Sequence, residues 1–295
     1  MKGVILVENS FVHPYMPNSA PENKKAMLDE LGINSVEDIY KSIIPDELLY
    51  KERLDIPEPI RSEYELKRHV MGILNRDITT EEYTSFLGAG CYKHQVPAIC
   101  DEINSRGEFL TTYSDHGKMQ AIFEYTSMMG ELLDTDVVSY TTYDGGQAVA
   151  SSLRMAVRAV REKGMAGKVI LVPKTMNPEI YSQVVQYCRN VAEVRKIAYE
   201  PETGLMDLEE LKEQLAKKNV AAVFFENPTY LGNFETRGEE IAKLAHDAGA
   251  YCVVQTEVAA LGIMESPVNQ GADIVCGDIQ PLGMHIQFGG GQAGF

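Results

Sequence analysis

Tyr143-Asp144-Gly145-Gly146-Gln147 is the first segment whose residue types could do chemistry. Backbone amides at a helix start carry partial positive charge, and two glycines let a ligand approach closely, so an anion could bind there. A helix N-cap turn with Asp144 as the capping residue accounts for the same letters, and spacing alone does not choose between the two. Gly289-Gly290-Gly291-Gln292-Ala293-Gly294 matches G-x-G-x-x-G, yet a dinucleotide fingerprint must follow a first strand and open a helix, and only Phe295 follows it. That match is treated as accidental. His94 and His116 lie near cysteines or acids without any H-x-x-x-H or H-E-x-x-H spacing, so no metal is expected. The nucleophile elbow G-x-S-x-G is absent. After Lys243 there is neither a lysine nor an arginine through Phe295, so no Schiff-base lysine can come from this stretch. Chance in an acidic chain also accounts for that gap.

The elements that must position these residues read differently in the two halves. Residues 1–118 look like a helical arm without a core of its own. One helix should start at Ser19 with Glu22 three positions on and Pro21 in its first turn, and end at Gly32. Others are expected from Ser35 to Tyr40 and from Ser62 to Leu74. Residues 119–295 alternate helices with short apolar strands. A helix at 119–133 places Met119, Ile122, Phe123, Met128, Met129 and Leu132 largely on one side. Strands are expected near Val137–Tyr140, at Lys168–Pro173, 194–198, Val220–Phe225, Tyr251–Gln255 and Ala272–Cys276. Between them fall helices at 146–162, 178–190, 207–218 and 237–248. Strands apolar throughout and separated by helices imply an α/β fold with a mostly parallel sheet covered on both faces. Ligands then sit outside the carboxyl ends of the strands, which directs attention to Asp144-Gly145-Gly146, Glu226-Asn227-Pro228, Gln255 to Glu257, and Gly277 to Gly283.

Composition narrows the partners. The 295 residues carry 43 acids against 27 bases, a net charge of −16, which repels phosphate backbones and anionic headgroups. No nucleic-acid or membrane role is expected. The cysteines Cys91, Cys100, Cys188, Cys252 and Cys276 form no CxxC pair and read as reduced thiols. The apolar stretch Val4–Val7 is too short for a signal peptide, and no run approaches the roughly 18 apolar residues of a membrane span. A cytoplasmic protein is expected.

The order of motifs resembles one family, the glycine decarboxylase P-proteins, and within it subunit 1 of the split, two-gene form. The similarity begins with Met16-Pro17-Asn18 and continues through Phe86-Leu87-Gly88-Ala89-Gly90-Cys91-Tyr92-Lys93-His94-Gln95-Val96-Pro97-Ala98. Leu110-Thr111-Thr112-Tyr113, Met119-Gln120-Ala121-Ile122-Phe123-Glu124-Tyr125, Tyr143-Asp144-Gly145 and Ala272-Asp273-Ile274-Val275 follow in the family's order. Gly277-Asp278-Ile279-Gln280-Pro281-Leu282-Gly283 and Phe288-Gly289-Gly290 complete it. The family's Q-P-E-I-x-Q-G loop is replaced by Ser114-Asp115-His116-Gly117-Lys118, and Asn177-Pro178 stands for a histidine-proline pair.

The resemblance implies the pyridoxal-phosphate type I transferase fold, here an arm (1–118) and the α/β large domain (119–295), with the small C-terminal domain missing. It implies a complex that decarboxylates glycine and passes the aminomethyl group to the lipoyl arm of H-protein. In that complex pyridoxal 5′-phosphate is bound covalently by subunit 2. Gln280 stands at the place of the cofactor lysine and has no amine, so this chain has no catalytic residue of its own. Asp144, Gly145, Asn227 and Gln280 are the vestigial or partner-facing site residues, and Glu257, where relatives place the pyridine-pairing aspartate, reads as structural. The arm helices and the Phe86–Tyr92 segment are the expected inter-subunit contact. The rival expectations are a degenerate binding or regulatory homologue and an autonomous enzyme using an upstream lysine such as Lys174.

Overall fold

The computed structural model describes residues 12–50, 52, 55–86, 93–107, 116–286 and 293–295. The segments 87–92, 108–115 and 287–292 lie outside the described residues, and with them the motif readings placed on Leu87–Tyr92, Leu110–Tyr113, Ser114-Asp115 and most of the glycine-rich run. The chain divides into two compact units, Met1–Ile78 and Thr79–Phe295.

The first unit holds α1 (Pro21–Leu31), α2 (Val36–Ile43) and α3 (Glu63–Leu74). Its helices start where local chemistry allows. Pro21 occupies the first turn of α1, where its missing N–H costs nothing, although the N-cap is Ala20 and not Ser19. Ser19 instead accepts the His13 amide and donates to the Met16 carbonyl, so its hydroxyl is already used. Gly32 ends α1 in the left-handed region at φ 67°, a conformation that costs glycine little. Asp38 reaches back to the Ser35 amide at 3.1 Å to fix the start of α2, and Ser62 accepts the Glu65 amide to cap α3. Among the described residues of this unit only Ala20 is buried. Its helices therefore have no core of their own.

The second unit contains α4 (Ala98–Asn104), α5 (His116–Leu133), α6 (Gly145–Glu162), α7 (Pro178–Cys188), α8 (Leu208–Leu215) and α9 (Gly238–Asp247). Its strands are β1 (Val169–Pro173), β2 (Glu193–Ile197), β3 (Val220–Asn227), β4 (Tyr251–Thr256) and β5 (Ile274–Cys276). They form one parallel sheet in the order β2-β1-β3-β4-β5. Alternate residues face opposite ways. Ile170, Val172, Ala222, Phe224 and Val253 pack under α6 and α7, whereas Val169, Leu171, Val223, Phe225, Cys252 and Val254 pack under α8 and α9. Both faces are covered, which is why β1 and β3 are buried at every position. Along α6 the buried residues Val149, Leu153, Ala156, Val157 and Val160 recur at helical spacing and lay that helix on the sheet.

Two expectations fail here. Val137–Tyr140 is not a strand: Val137 is 82% exposed and Tyr140 56%, and only Thr142, just beyond, makes an isolated antiparallel bridge to Gly294. Apolar letters without burial have no ladder to join. On α5 the inward residues are Met129 and Leu133, which pack with Val258 and Phe295, with Tyr125 alongside. Met119, Phe123, Met128 and Leu132 point outward. No described helix is long and apolar enough to cross a membrane.

Candidate functional site

Two groups of polar residues sit at the carboxyl ends of the strands, and α7 links them. The first closes the N-terminus of α6. Asp144 is the N-cap, its Oδ1 accepting the Gln147 amide at 2.6 Å. Asp278, which follows β5, places Oδ2 3.3 Å from the Gly145 amide and Oδ1 2.7 Å from the Gln280 amide. Two of the first three amides of α6 are thus already given to carboxylates. Gln183 of α7 reaches Asp144 Oδ2 at 3.4 Å. Gly294 and Phe295 lock the group: Thr142 and Gly294 exchange amide bonds at 2.8 and 3.1 Å, and Gly277 and Phe295 exchange them at 3.3 and 3.0 Å. Gly294 has to be glycine at that place, because a Cβ there would lie 2.3 Å from the Asp144 carbonyl.

Burial raises the Asp278 carboxyl above the ordinary aspartate range, and the nearby Asp144 charge adds to it, while its two amide donors and His94 oppose the shift. Glu257 is likewise raised by burial, and its carboxylate accepts the Ala259 amide to cap the short turn Val258–Gly262. Gln280 is 5% exposed at the start of the turn Gln280–Leu282.

The second group lies at the ends of β1 and β3. In a parallel sheet of this order the helical crossovers change direction between those two strands, and the resulting crevice is where ligands enter such folds. A small pocket opens there, lined by Pro173, Thr175, Met206, Glu226, Thr229 and Glu235 among others. Glu226 accepts the Asn177 amide at 3.2 Å on both oxygens, and burial pushes its carboxyl up to about 7. It can therefore hold or release a proton near neutrality.

Asn227, on the opposite face of the strand, is fully engaged: its Nδ2 donates to the Glu235 carbonyl at 3.3 Å and its Oδ1 accepts the Glu235 amide at 3.2 Å. The Thr256 hydroxyl holds the Asn227 carbonyl at 3.0 Å. Glu235, buried, accepts the Met206 amide at 2.9 Å and pairs with Arg237 at 3.2 Å. Arg237 in turn reaches Glu200 and the Met206 carbonyl, both at 2.7 Å.

Three of the four residues singled out by sequence, Asp144, Gly145 and Gln280, thus meet through Asp278, and the fourth, Asn227, belongs to the second group. Asp278 lay inside a loop already marked as ligand-facing, but nothing in its letters told of the Gly145 contact. Glu235 and Arg237 carried no readable signal, since no spacing rule ties them to Asn227.

A doubly wound parallel sheet with its polar groups at the strand ends is an arrangement that many α/β enzymes share, and the likeness to a solved structure narrows the class to the type I pyridoxal-phosphate transferase fold. The chain overlays a crystal structure of glycine decarboxylase (P-protein) of the glycine cleavage system, in inhibitor-bound form, with a TM-score of 0.80 and 30% identity, over 96% of this chain and 62% of that one. A sphingosine-1-phosphate lyase from Burkholderia pseudomallei, 14% identical with a TM-score of 0.55, shares the fold alone.

The family model of the glycine cleavage system P-protein matches residues 13–295, and the chain belongs to that family. It is 39% identical to a probable glycine dehydrogenase (decarboxylating) subunit 1 of Pyrococcus horikoshii over 95% of this chain, and 35% identical to the one of Staphylothermus marinus over 94%. The chain spans 60–62% of the length of those relatives.

Pyridoxal phosphate, which the fold implies, needs an amine for its aldehyde and unoccupied donors for its phosphate. The Gln280 carboxamide is not such an amine, and residues 244–295 hold no lysine or arginine. The Gly145 amide is spent on Asp278, and the Asp144 and Asp278 carboxylates beside that helix start would repel a dianion. The residues gathered at the start of α6 do not fit the cofactor.

Proposed function

We propose that this chain is the subunit 1 partner of a split glycine decarboxylase and that it supports catalysis by pairing with a lysine-bearing subunit 2 rather than by holding the cofactor. The observation that carries this reading is the closure of the α6 N-terminus by Asp278, beside a buried Gln280 where the resemblance places the cofactor lysine. Bound in subunit 2, pyridoxal phosphate would supply the electron sink for loss of CO₂ from glycine, and lipoylated H-protein would take the aminomethyl group. Asp144, Gly145, Asn227 and Gln280 are then a framework in this chain: they brace loops at the strand ends and present no reacting atom. A cytoplasmic heterotetramer is part of the same proposal.

A first unit whose described residues form no core supports an inter-subunit role for its helices, since such helices need a partner to bury their apolar residues. The outward residues of α5 have the same need.

Co-expression with the cognate subunit 2, followed by sizing and by assay of glycine decarboxylation with lipoylated H-protein, tests the reading. Co-elution with activity that requires both chains is expected. A chain that stays alone and leaves decarboxylation unchanged favours the degenerate homologue. Lys174 is exposed just beyond β1, so borohydride treatment of the isolated chain with added cofactor is the second arm. Labelling of Lys174 would favour an autonomous enzyme.

A further inference from the structure

Away from the strand ends, α6 carries a feature at odds with the charge of the whole chain. Arg154, Arg158 and Arg161 recur at i, i+4 and i+7, so they line one flank of the helix over roughly 10 Å. With Ser151, Tyr187 and Val191 they form an open groove of about 440 Å³ between α6, the end of α7 and the approach to β2. From Arg154 to Lys168 the chain holds five bases (Arg154, Arg158, Arg161, Lys163, Lys168) and one acid, Glu162, in a protein where acids outnumber bases 43 to 27.

The outer arginines are braced. Arg154 donates to the Tyr187 carbonyl at 3.0 Å, and Arg161 donates to the carbonyls of Gly167 and Val191 at 3.3 and 2.6 Å. These are neutral acceptors, and no ion pair among the described residues compensates either guanidinium charge. Arg158 stands between them, exposed, and makes no hydrogen bond or ion pair with any described residue. An arginine fork fixed against a wall keeps its remaining N–H groups aimed, and loses little side-chain entropy when a carboxylate arrives.

We propose that this groove docks an acidic segment of a partner protein, with carboxylates spaced along the segment to meet Arg154, Arg158 and Arg161 in turn. Charge complementarity argues for that occupant. A basic strip on an otherwise acidic surface attracts an acidic segment locally, while the surrounding field rejects acidic proteins that lack the matching spacing. The groove is open along the helix and mostly apolar between its cations, which suits a polypeptide with alternating acidic and apolar residues better than a compact ion. The surface is separate from the closed N-terminus of the same helix, so the proposal does not depend on the function argued above.

The test uses the full chain and a fluorescent oligoglutamate peptide at low ionic strength, with anisotropy as the readout. Three variants are compared: the parent, Arg158→Glu, and Lys217→Glu, which makes the same charge change just beyond α8 on the opposite face of the sheet. Saturable binding is expected, weakened about tenfold or more by Arg158→Glu and less than about twofold by Lys217→Glu. Because Arg158 braces nothing among the described residues, the melting temperature of Arg158→Glu should match that of the parent. Three results would overturn the proposal: no saturable binding, equal weakening by both reversals, or displacement of the probe by stoichiometric inorganic pyrophosphate, which would mark a small-anion site instead.

Discussion

Asp278 closes α6 from 133 residues away: its carboxylate takes the Gly145 amide at 3.3 Å and holds the Gln280 amide at 2.7 Å. One side chain thereby fastens the loop after β5 to the helix that precedes β1. Asp278→Ala leaves both amides without that acceptor and should cost about 1–3 kcal/mol. Asp278→Asn keeps an acceptor and removes a partly buried charge, so it should cost less. Urea unfolding of the three proteins gives the ranking; an alanine variant as stable as the parent would show that the contact contributes nothing.

Glu226 makes stability depend on pH in the direction opposite to a paired carboxylate. Its folded value of about 7 lies above the ordinary value of 4.5, so the folded state keeps a proton that the unfolded state has released. The resulting penalty is absent below about pH 4.5, grows as pH rises toward 7, and is complete above it. Its ceiling is about 3 kcal/mol. Glu226→Gln should therefore gain stability over the parent progressively between pH 5 and about pH 8. Thermal melts of the pair across that range give the difference directly, and a constant offset would contradict the assignment.

Asn227 satisfies both backbone groups of Glu235, as a strand partner would. Replacing it with leucine buries an unpaired N–H and an unpaired C=O together, at a cost of about 2–4 kcal/mol. Asn227→Asp keeps the acceptor but buries an unpaired carboxylate against the Glu235 carbonyl, so at neutral pH it should cost at least as much as leucine, and less as pH falls. Chemical denaturation checks the order.

Arg237 compensates the buried Glu235 and ties it to Glu200 and to the Met206 carbonyl. Its loss leaves a buried acid without a counter-charge, so Arg237→Ala should destabilise by about 3 kcal/mol. A lysine has the charge without the fork and cannot reach three acceptors at once. Arg237→Lys should recover less than half the loss in the same unfolding assay.

Gly294 admits no side chain. A Cβ would meet the Asp144 carbonyl at 2.3 Å and the Thr142 hydroxyl at 2.5 Å. Gly294→Ala should separate residues 293–295 from Thr142 and expose the Thr142 amide. Hydrogen exchange at Thr142, protected in the parent and faster in the variant, is the measurement.

Continuous apolar runs placed β1, β3 and β4 within two residues of where they occur, because a strand buried on both faces must be apolar at nearly every position. Period and capping did the same for α6, with Asp144 as its cap. The same reasoning misplaced a strand at Val137–Tyr140 and passed over α4, whose N-cap Pro97 offers no capping side chain. Local letters report what a segment can do when buried, not whether anything covers it.

The sequence by itself determined the alternation of strands and helices, the sheet's parallel sense and the absence of an amine at position 280, because these follow from short-range pattern and residue identity. Only the tertiary structure decided that Asp278 occupies the Gly145 amide, that Glu226 titrates near neutrality and that α5 turns Phe123 outward. Each depends on which distant groups meet and on how far water is excluded where they do, and neither quantity is carried by any local stretch of chain.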